Sequence, residues 1–100
     1  MMKTFIRVVE VWVPDAEASL LEFGGGLYGS AARFGMISRS MCFGRGEGLP
    51  GRAWDEGRPI VLNELNPSVF RRTEQARAEG LTCGIALPIF VGDTLKAVFV

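Results

Sequence analysis

Apolar residues in the first part of the chain occupy both odd and even positions of one extended run. This run, FIRVVEVWV from Phe5 to Val13, is rich in β-branched and aromatic residues, which is typical of an inner strand covered on both faces. Pro14 and Asp15 end the strand. The next segment, AEASLLEFGGG, fits either a short helix opened by Asp15 or a returning strand at Leu20–Phe23, and we favour the strand.

Further extended segments follow. The glycines Gly24–Gly26 predict a flexible turn, and RFGMISRSMCF, which ends at Phe43, predicts another extended segment. Pro59–Leu62 predicts a short strand. The last pattern is the most regular, because CGIALPIFV and TLKAVFV are two apolar strands separated by Gly92 and Asp93. Since glycine tolerates a positive φ at the first turn position, this spacing predicts a type II′ hairpin.

A covering helix is predicted before this hairpin. In NELNPSVFRRTEQARAEGL, Asn66 suits the N-cap, Pro67 suits the first helical position and Gly80 suits a left-handed exit. The apolar side of this helix is a narrow stripe formed by Val69, Phe70, Thr73 and Ala76. We therefore expect that side to pack on the sheet.

The glycine-rich segment FGRGEGLPGRAWDEGRPIV raises the question of nucleotide binding, because Gly46–Gly51 matches the pattern G-x-G-x-x-G. A dinucleotide loop needs free amides at the start of a long helix. Pro50 removes one amide, and Gly57 breaks the helix that would follow after about a turn and a half. We interpret the segment as a rigid turn that helps to frame a pocket, with Trp54 plugging one end of the core.

Composition narrows the class of protein. One hundred residues suit a single domain, 1–100, and truncation at the C-terminus stays open because the chain stops at Val100 in mid-strand. Eleven basic residues balance eleven acidic ones, which argues against a nucleic-acid partner. The apolar runs fall short of the ~20 residues of a membrane helix, and the N-terminus lacks a signal-peptide pattern. We expect a cytoplasmic protein without membrane contact.

Candidate chemistry is sparse. The chain has no histidine, and Cys42 and Cys83 are widely separated, so we predict reduced, mostly buried thiols and no zinc site. Arg71 and Arg72 are in reach of an anionic ligand, but a solvated helix face is the preferred interpretation. No catalytic constellation is found, and we predict a protein that is not an enzyme.

Six apolar side chains are assigned to the core, namely Phe34, Phe43, Phe70, Ile85, Leu87 and Phe99.

The order of FGRGEGLPGRAWDEGRPIV, FRRTEQARAEGL and ALPIFVGDTLKAVFV resembles a GAF domain, the sensory module found beside histidine kinases, cyclases and phosphodiesterases. The resemblance covers about residues 34–100 and, more loosely, the first strand. It implies an α+β fold with an antiparallel central sheet, helices packed on one face and a ligand pocket on the other. Terminal helices that pair between family subunits are absent from this pattern, so an exposed sheet face predicts a homodimer or further chain.

The known activities of the family can be compared with the residues of this chain. Bilin, haem and iron sensing are poorly supported without histidine, and the cyclic-nucleotide pattern of asparagine, lysine and acidic residues is not found. Free methionine sulfoxide reductases of this fold use pocket cysteines. The segments around the two cysteines here, RSMCFGRG and GLTCGIAL, do not resemble theirs.

We therefore expect a regulatory domain that binds an unknown small molecule, uses no cofactor and acts on an effector such as a histidine kinase or cyclase. A structural dimerisation module with a filled pocket is the alternative, followed by a methionine sulfoxide reductase. The predicted ligand-binding residues are Phe43, Leu49, Trp54, Phe70, Arg71 and Cys83.

Overall fold

The computed structural model describes residues 6–100. Six strands form one antiparallel sheet in the order β3-β2-β1-β6-β5-β4, and three short helices accompany it. The predicted α+β class with a central antiparallel sheet is confirmed. The elements in chain order are β1 Val9–Pro14, β2 Leu20–Leu27, α1 Ala32–Ser38, β3 Cys42–Gly44, α2 Gly48–Glu56, β4 Ile60–Leu62, α3 Thr73–Ala78, β5 Gly84–Val91 and β6 Thr94–Phe99.

Strand β1 lies inside the sheet between β2 and β6, as predicted. It begins at Val9, and the predicted start at Phe5 lies outside the described residues. Only one face of β1 is fully covered, because Glu10 and Trp12 are buried while Val9 remains 39% exposed. The prediction of cover on both faces is therefore wrong within the described part of the chain.

The three helices pack on one face of the sheet, which we call the inner face, as the fold class predicted. Strand residues that point inward meet helix residues in a single hydrophobic core. Trp12 contacts Phe43 edge to face, with ring centroids 4.8 Å apart. The fully buried apolar members of this core are Trp12, Leu21, Phe43, Leu49, Ala53, Ala76, Ala86 and Val98.

The opposite face, which we call the outer face, is apolar and exposed. Its large exposed side chains are Val9, Leu27, Val61, Ile85, Leu87, Ile89 and Phe99. The assignment of Ile85, Leu87 and Phe99 to the core is wrong, since they are 47%, 42% and 41% exposed. Alternate strand residues point to opposite faces, so helices on one face cover only half of each strand. The other three core assignments, Phe34, Phe43 and Phe70, are confirmed.

Two local predictions between β1 and α2 are wrong. Gly24–Gly26 belong to β2, whose register against β1 shifts between Val11 and Trp12, so the glycines form a β-bulge region and no turn. RFGMISRSMCF forms helix α1 and then the three-residue strand β3. The helical spacing of Phe34 and Ser38 buries both on one side, and the Ser38 hydroxyl donates to the Phe34 carbonyl at 2.7 Å.

The later elements follow the prediction more closely. Helix α3 starts at Thr73, later than predicted, because Asn66 caps a separate turn in which its side-chain oxygen accepts from the Ser68 amide. Gly80 follows α3 with a φ of +78°, which confirms the left-handed exit. The hairpin β5–β6 turns through two residues, and Gly92 has the expected positive φ. Among residues 6–100, no helix is long and apolar enough to cross a membrane.

Candidate functional site

The glycine-rich segment folds back on itself. The Gly46 amide donates to the Gly51 carbonyl at 2.8 Å, and the Gly51 amide donates to the Glu47 carbonyl at 3.0 Å. A Cβ at Gly51 would lie 2.1 Å from the Gly44 carbonyl oxygen, so only glycine allows this close approach of two backbone segments. The amides of Gly46, Glu47 and Gly51 are used within the segment itself, which supports the interpretation as a rigid turn.

Three of the six predicted ligand-binding residues stabilise this corner from within. Phe43, Leu49 and Trp54 are buried in the core, and the most exposed of them, Trp54, retains only 8% exposure. The Arg45 guanidinium lies over the Trp54 ring, with its carbon 5.7 Å from the ring centroid. The structure thus places Trp54 at the edge of the core, as predicted, and places all three outside the cleft described below.

A buried ion pair joins β1 to the turn before α3. Arg72 Nη1 donates to Glu10 Oε2 at 2.6 Å, and both side chains are 1% exposed. The Tyr28 hydroxyl donates to the same carboxylate oxygen at 2.6 Å, and Trp12 Nε1 donates to the other at 3.1 Å. Arg72 Nη1 also donates to the Ser38 hydroxyl oxygen. Every oxygen of the buried carboxylate therefore has a partner.

This network sets the protonation of its acid groups. Burial raises the pKa of Glu10, but the positive charge of Arg72 and the hydrogen bonds from Arg72, Tyr28 and Trp12 outweigh burial, so the pKa lies below its ordinary value of 4.5. Burial, followed by the hydrogen bond to Glu10 and its negative charge, raises the pKa of Tyr28. At neutral pH, Glu10 is therefore charged and Tyr28 retains the proton that it donates.

Aromatic rings surround the Arg72 guanidinium. Its carbon lies 4.6 Å from the Phe34 ring centroid and 5.0 Å from that of Phe70, and the rings of Trp12 and Phe43 lie at 5.3 and 5.4 Å. The negative faces of such rings favour a cation, which helps to compensate for the loss of water around the charge. The predicted solvated position of Arg72 is wrong.

An open cleft of about 490 Å³ lies beyond the end of β6, between the first residues of β1 and of β5. Segment 80–84 forms one wall, and side chains of Phe34, Phe70 and Ala76 form another. Residues of both sheet faces border it, so the expected position opposite the helices is met only in part. Arg7 and Glu10 are the charged residues among the described ones that line this mostly apolar cleft, and the side chain of Glu10 is itself buried.

The structure brings only two of the predicted ligand-binding residues to this cleft, Phe70 and Cys83. Arg71 points away from it, with Nη1 3.4 Å from the Cys42 carbonyl oxygen and the guanidinium over the Phe43 ring. Both cysteines are free and exposed, so the prediction of mostly buried thiols is wrong. Cys42 starts an edge strand and Cys83 precedes β5, and neither position is covered by a helix.

Sequence reasoning missed Glu10 and the pairing of Arg72 with it, although each residue carried a signal. Glu10 is the only charged residue among Val8–Pro14, in a strand that is otherwise apolar. Arg72 stands three residues after Val69 and four before Ala76, which is the spacing of the predicted apolar stripe. A charge on an apolar stripe indicates either a stripe that is exposed or a buried partner of opposite sign.

Comparisons with known proteins agree on the fold. A family model described as GAF domain matches residues 4–100. The free methionine-R-sulfoxide reductase of Neisseria meningitidis, in complex with its substrate, superposes with a TM-score of 0.67 and 18% identity over 93% of this chain and 49% of that chain. The A. aeolicus NLH2 GAF domain in an inactive state superposes with a TM-score of 0.70 and 24% identity, over 94% of this chain and 55% of that chain.

A third solved structure is NreA of Staphylococcus aureus, mutated in its nitrate-binding site, with a TM-score of 0.71 and 16% identity over 95% of this chain and 70% of that chain. The present chain spans about half the length of the first two structures. No curated protein matches it. At these identities, the structural likeness shows the fold alone.

Proposed function

The chain belongs to the GAF domain family, and on that premise we propose that it is a regulatory domain that binds a small molecule and takes part in signal transduction. The observation that carries this proposal is the cleft of about 490 Å³, whose apolar walls adjoin a buried and fully hydrogen-bonded carboxylate. Small-molecule sites combine these features, because apolar walls give affinity and a few fixed polar groups give orientation.

Signalling would follow from differential binding. A ligand that prefers one arrangement of segment 80–84 and α3 shifts the population toward it, and an attached or associated effector reads that shift. We place the domain in the cytoplasm beside an effector such as a histidine kinase or cyclase. We propose no catalytic role, since no described residue hydrogen-bonds the Cys83 thiol of the cleft as a base would.

Native mass spectrometry tests ligand binding with a matched pair of variants. We expect the purified protein to carry an additional small mass, or to acquire one from a metabolite mixture. Thr82→Trp fills the cleft and should lose that mass, whereas Thr94→Trp, an equally drastic change on the exposed start of β6, should retain it. A wild-type protein that takes up no small molecule, or equal uptake by both variants, would contradict the proposal.

Dimerisation is the second candidate function, because the outer face is apolar without a cover from residues 6–100. Antiparallel sheets that face water usually present polar side chains there. The proposed partner is a second copy, since two such faces match in chemistry and the chain carries no net charge to repel it. Sedimentation analysis should show a dimer for the wild type and a folded monomer for Ile89→Lys. A monomeric wild type would contradict this proposal.

The reductase activity of two structural relatives is a further comparison, since S. aureus fRMsr matches with a TM-score of 0.64. The sheet order places β3, which holds Cys42, four strands from β5, which Cys83 precedes. At ~4.8 Å per strand the separation is about 19 Å, well beyond the ~7 Å that a disulfide spans. We therefore expect no two-cysteine reduction of methionine sulfoxide. Turnover of methionine sulfoxide that is lost in Cys42→Ser and also in Cys83→Ser would overturn that expectation.

A further inference from the structure

Arg72 has a donor edge without an acceptor among the described residues. Nη1 donates to Glu10 and Ser38, whereas Nε and Nη2 are buried and make no hydrogen bond. Nε and Nη2 carry parallel N–H groups on one edge of the planar guanidinium, and that edge matches the two oxygens of a carboxylate. Because an unpaired buried donor on a charged group is unfavourable, this edge favours binding of an acceptor.

The edge belongs to a side chain directly behind the wall of the cleft. Glu10, Phe34 and Phe70 each line the cleft and each contact Arg72. Phe70 lies between the turn at Asn66 and helix α3, where its amide donates to the Asn66 carbonyl at 2.8 Å and its ring stacks on Phe34 with centroids 6.2 Å apart. The Phe34 and Phe70 rings thus separate the cleft from the guanidinium, and a displacement of the Phe70 ring would connect the two.

The charges around the cleft favour one class of ligand. Arg7 lines the cleft and the Arg72–Glu10 pair lies behind its wall, so these three side chains carry two positive charges and one negative charge. A single negative charge on a ligand neutralises this set, whereas a doubly charged phosphate leaves an uncompensated charge in an apolar site. Arg7 lies at the rim, where its Nη1 would be 3.0 Å from a Cβ at Gly80.

We propose that the Nε and Nη2 edge of Arg72 binds the carboxylate of a small monocarboxylate, whose apolar body occupies the cleft against Val8, Leu81 and Ile85. This inference rests on the proposed function, because it assumes that the ligand enters the cleft. It adds the chemical class of the ligand and the group that recognises it. It also gives Glu10 a positioning role, since Glu10 fixes the plane of the guanidinium through Nη1.

Nuclear magnetic resonance distinguishes the edge from the cleft. The probes are benzoate and benzamide, which have the same shape and differ in charge, titrated into ¹⁵N-labelled wild-type protein. The backbone amides of residues 80–84 report entry into the cleft, and the Nε–H signal of Arg72 reports contact with the edge. We expect benzoate to shift both sets of signals, and benzamide to bind at least about tenfold more weakly because it cannot form the charged bidentate pair.

Two arginine variants serve as matched charge changes. Arg7→Gln removes the charge at the rim and leaves the Arg72–Glu10 pair intact. It should weaken the binding of benzoate several-fold without affecting the binding of benzamide. Arg71→Gln removes an exposed charge outside the cleft and should change neither. Shifts at residues 80–84 without a shift of the Arg72 Nε–H signal, or equal binding of both probes, would overturn the carboxylate inference and leave the cleft as a binding site. No shift at residues 80–84 with either probe would count against the proposed function itself.

Discussion

The two faces of the sheet show opposite relations between polarity and exposure. The inner face is buried, yet it holds the charged side chains of Glu10 and Arg72. The outer face is exposed, yet it presents Leu87, Ile89 and Phe99 to solvent. In an antiparallel sheet the reverse arrangement is usual. The difference shows that the inner face contains a defined polar network, and it is consistent with our proposal that the outer face associates with a second copy.

The largest effect is expected from breaking the inner face at Arg72. Arg72→Met leaves the Glu10 carboxylate buried without its cation, which should lower the free energy of unfolding by about 3 to 5 kcal/mol. Urea denaturation followed by circular dichroism measures the change. The double variant Glu10→Gln with Arg72→Met removes both charges and should be more stable than Arg72→Met alone. Arg71 is an exposed neighbour of Arg72, and the free energy of unfolding of Arg71→Met should lie within about 0.5 kcal/mol of the wild-type value.

A matched pair of leucines on β2 compares the two faces directly. Leu21 is fully buried on the inner face and Leu27 is 76% exposed on the outer face. Leu21→Ala should cost about 2 to 5 kcal/mol because it leaves a cavity, whereas Leu27→Ala should change the free energy of unfolding by less than about 0.5 kcal/mol. Thermal unfolding at low protein concentration checks both values. Equal losses would mean that the outer face is covered in solution.

A methyl group added at each of two glycines compares the buried turn with the outer face. Gly51→Ala puts a methyl group 2.1 Å from the Gly44 carbonyl oxygen, and the backbone shift should cost about 1 to 3 kcal/mol. Gly25, on the outer face, has no atom within 4 Å of an added Cβ. Gly25→Ala should therefore be neutral or slightly stabilising in the same denaturation assay. A small loss in the free energy of unfolding for Gly51→Ala would show that the backbone between β3 and α2 shifts at little cost.

The smallest effect at neutral pH concerns the proton on Glu10. Because its folded pKa lies below 4.5, the carboxylate contributes stability above that pH, and the contribution is lost as the pH falls through the folded pKa. Denaturation midpoints between pH 6 and pH 3 should therefore fall more steeply for the wild type than for Glu10→Gln. Glu22→Gln, an exposed acid on β2, serves as the control. Parallel slopes for all three proteins would contradict the assignment.

Local signals predicted the parts of the fold that depend on few residues. The β5–β6 hairpin was predictable because Gly92 alone permits the positive φ of its turn. The exit from α3 at Gly80 was predictable for the same reason. Helix α1 was missed, because its apolar residues fit a strand or a helix equally well until Phe34 and Ser38 are seen to share a buried side.

Prediction of the candidate site was limited by distance along the chain. Glu10 and Arg72 are 62 positions apart, and each looks like an interruption of its own apolar pattern until the fold brings them together. Phe70 and Cys83 both line the cleft because they flank the same helix, α3, and their role in ligand binding stays a prediction. Phe43, Leu49 and Trp54 have the composition of a pocket wall, and apolar pocket walls and apolar cores are built from the same residue types.

The 62-position span between Glu10 and Arg72 also bears on the order of folding events. The two-residue hairpin between β5 and β6 closes at little entropic cost, whereas the ion pair requires β1 and the turn before α3 to be docked first. Contacts formed after the rate-limiting step slow unfolding and leave the folding rate nearly unchanged. We therefore expect the ion pair to form after the rate-limiting step of folding. Its removal should then raise the unfolding rate, seen in the unfolding arm of a chevron plot, and leave the folding rate unchanged.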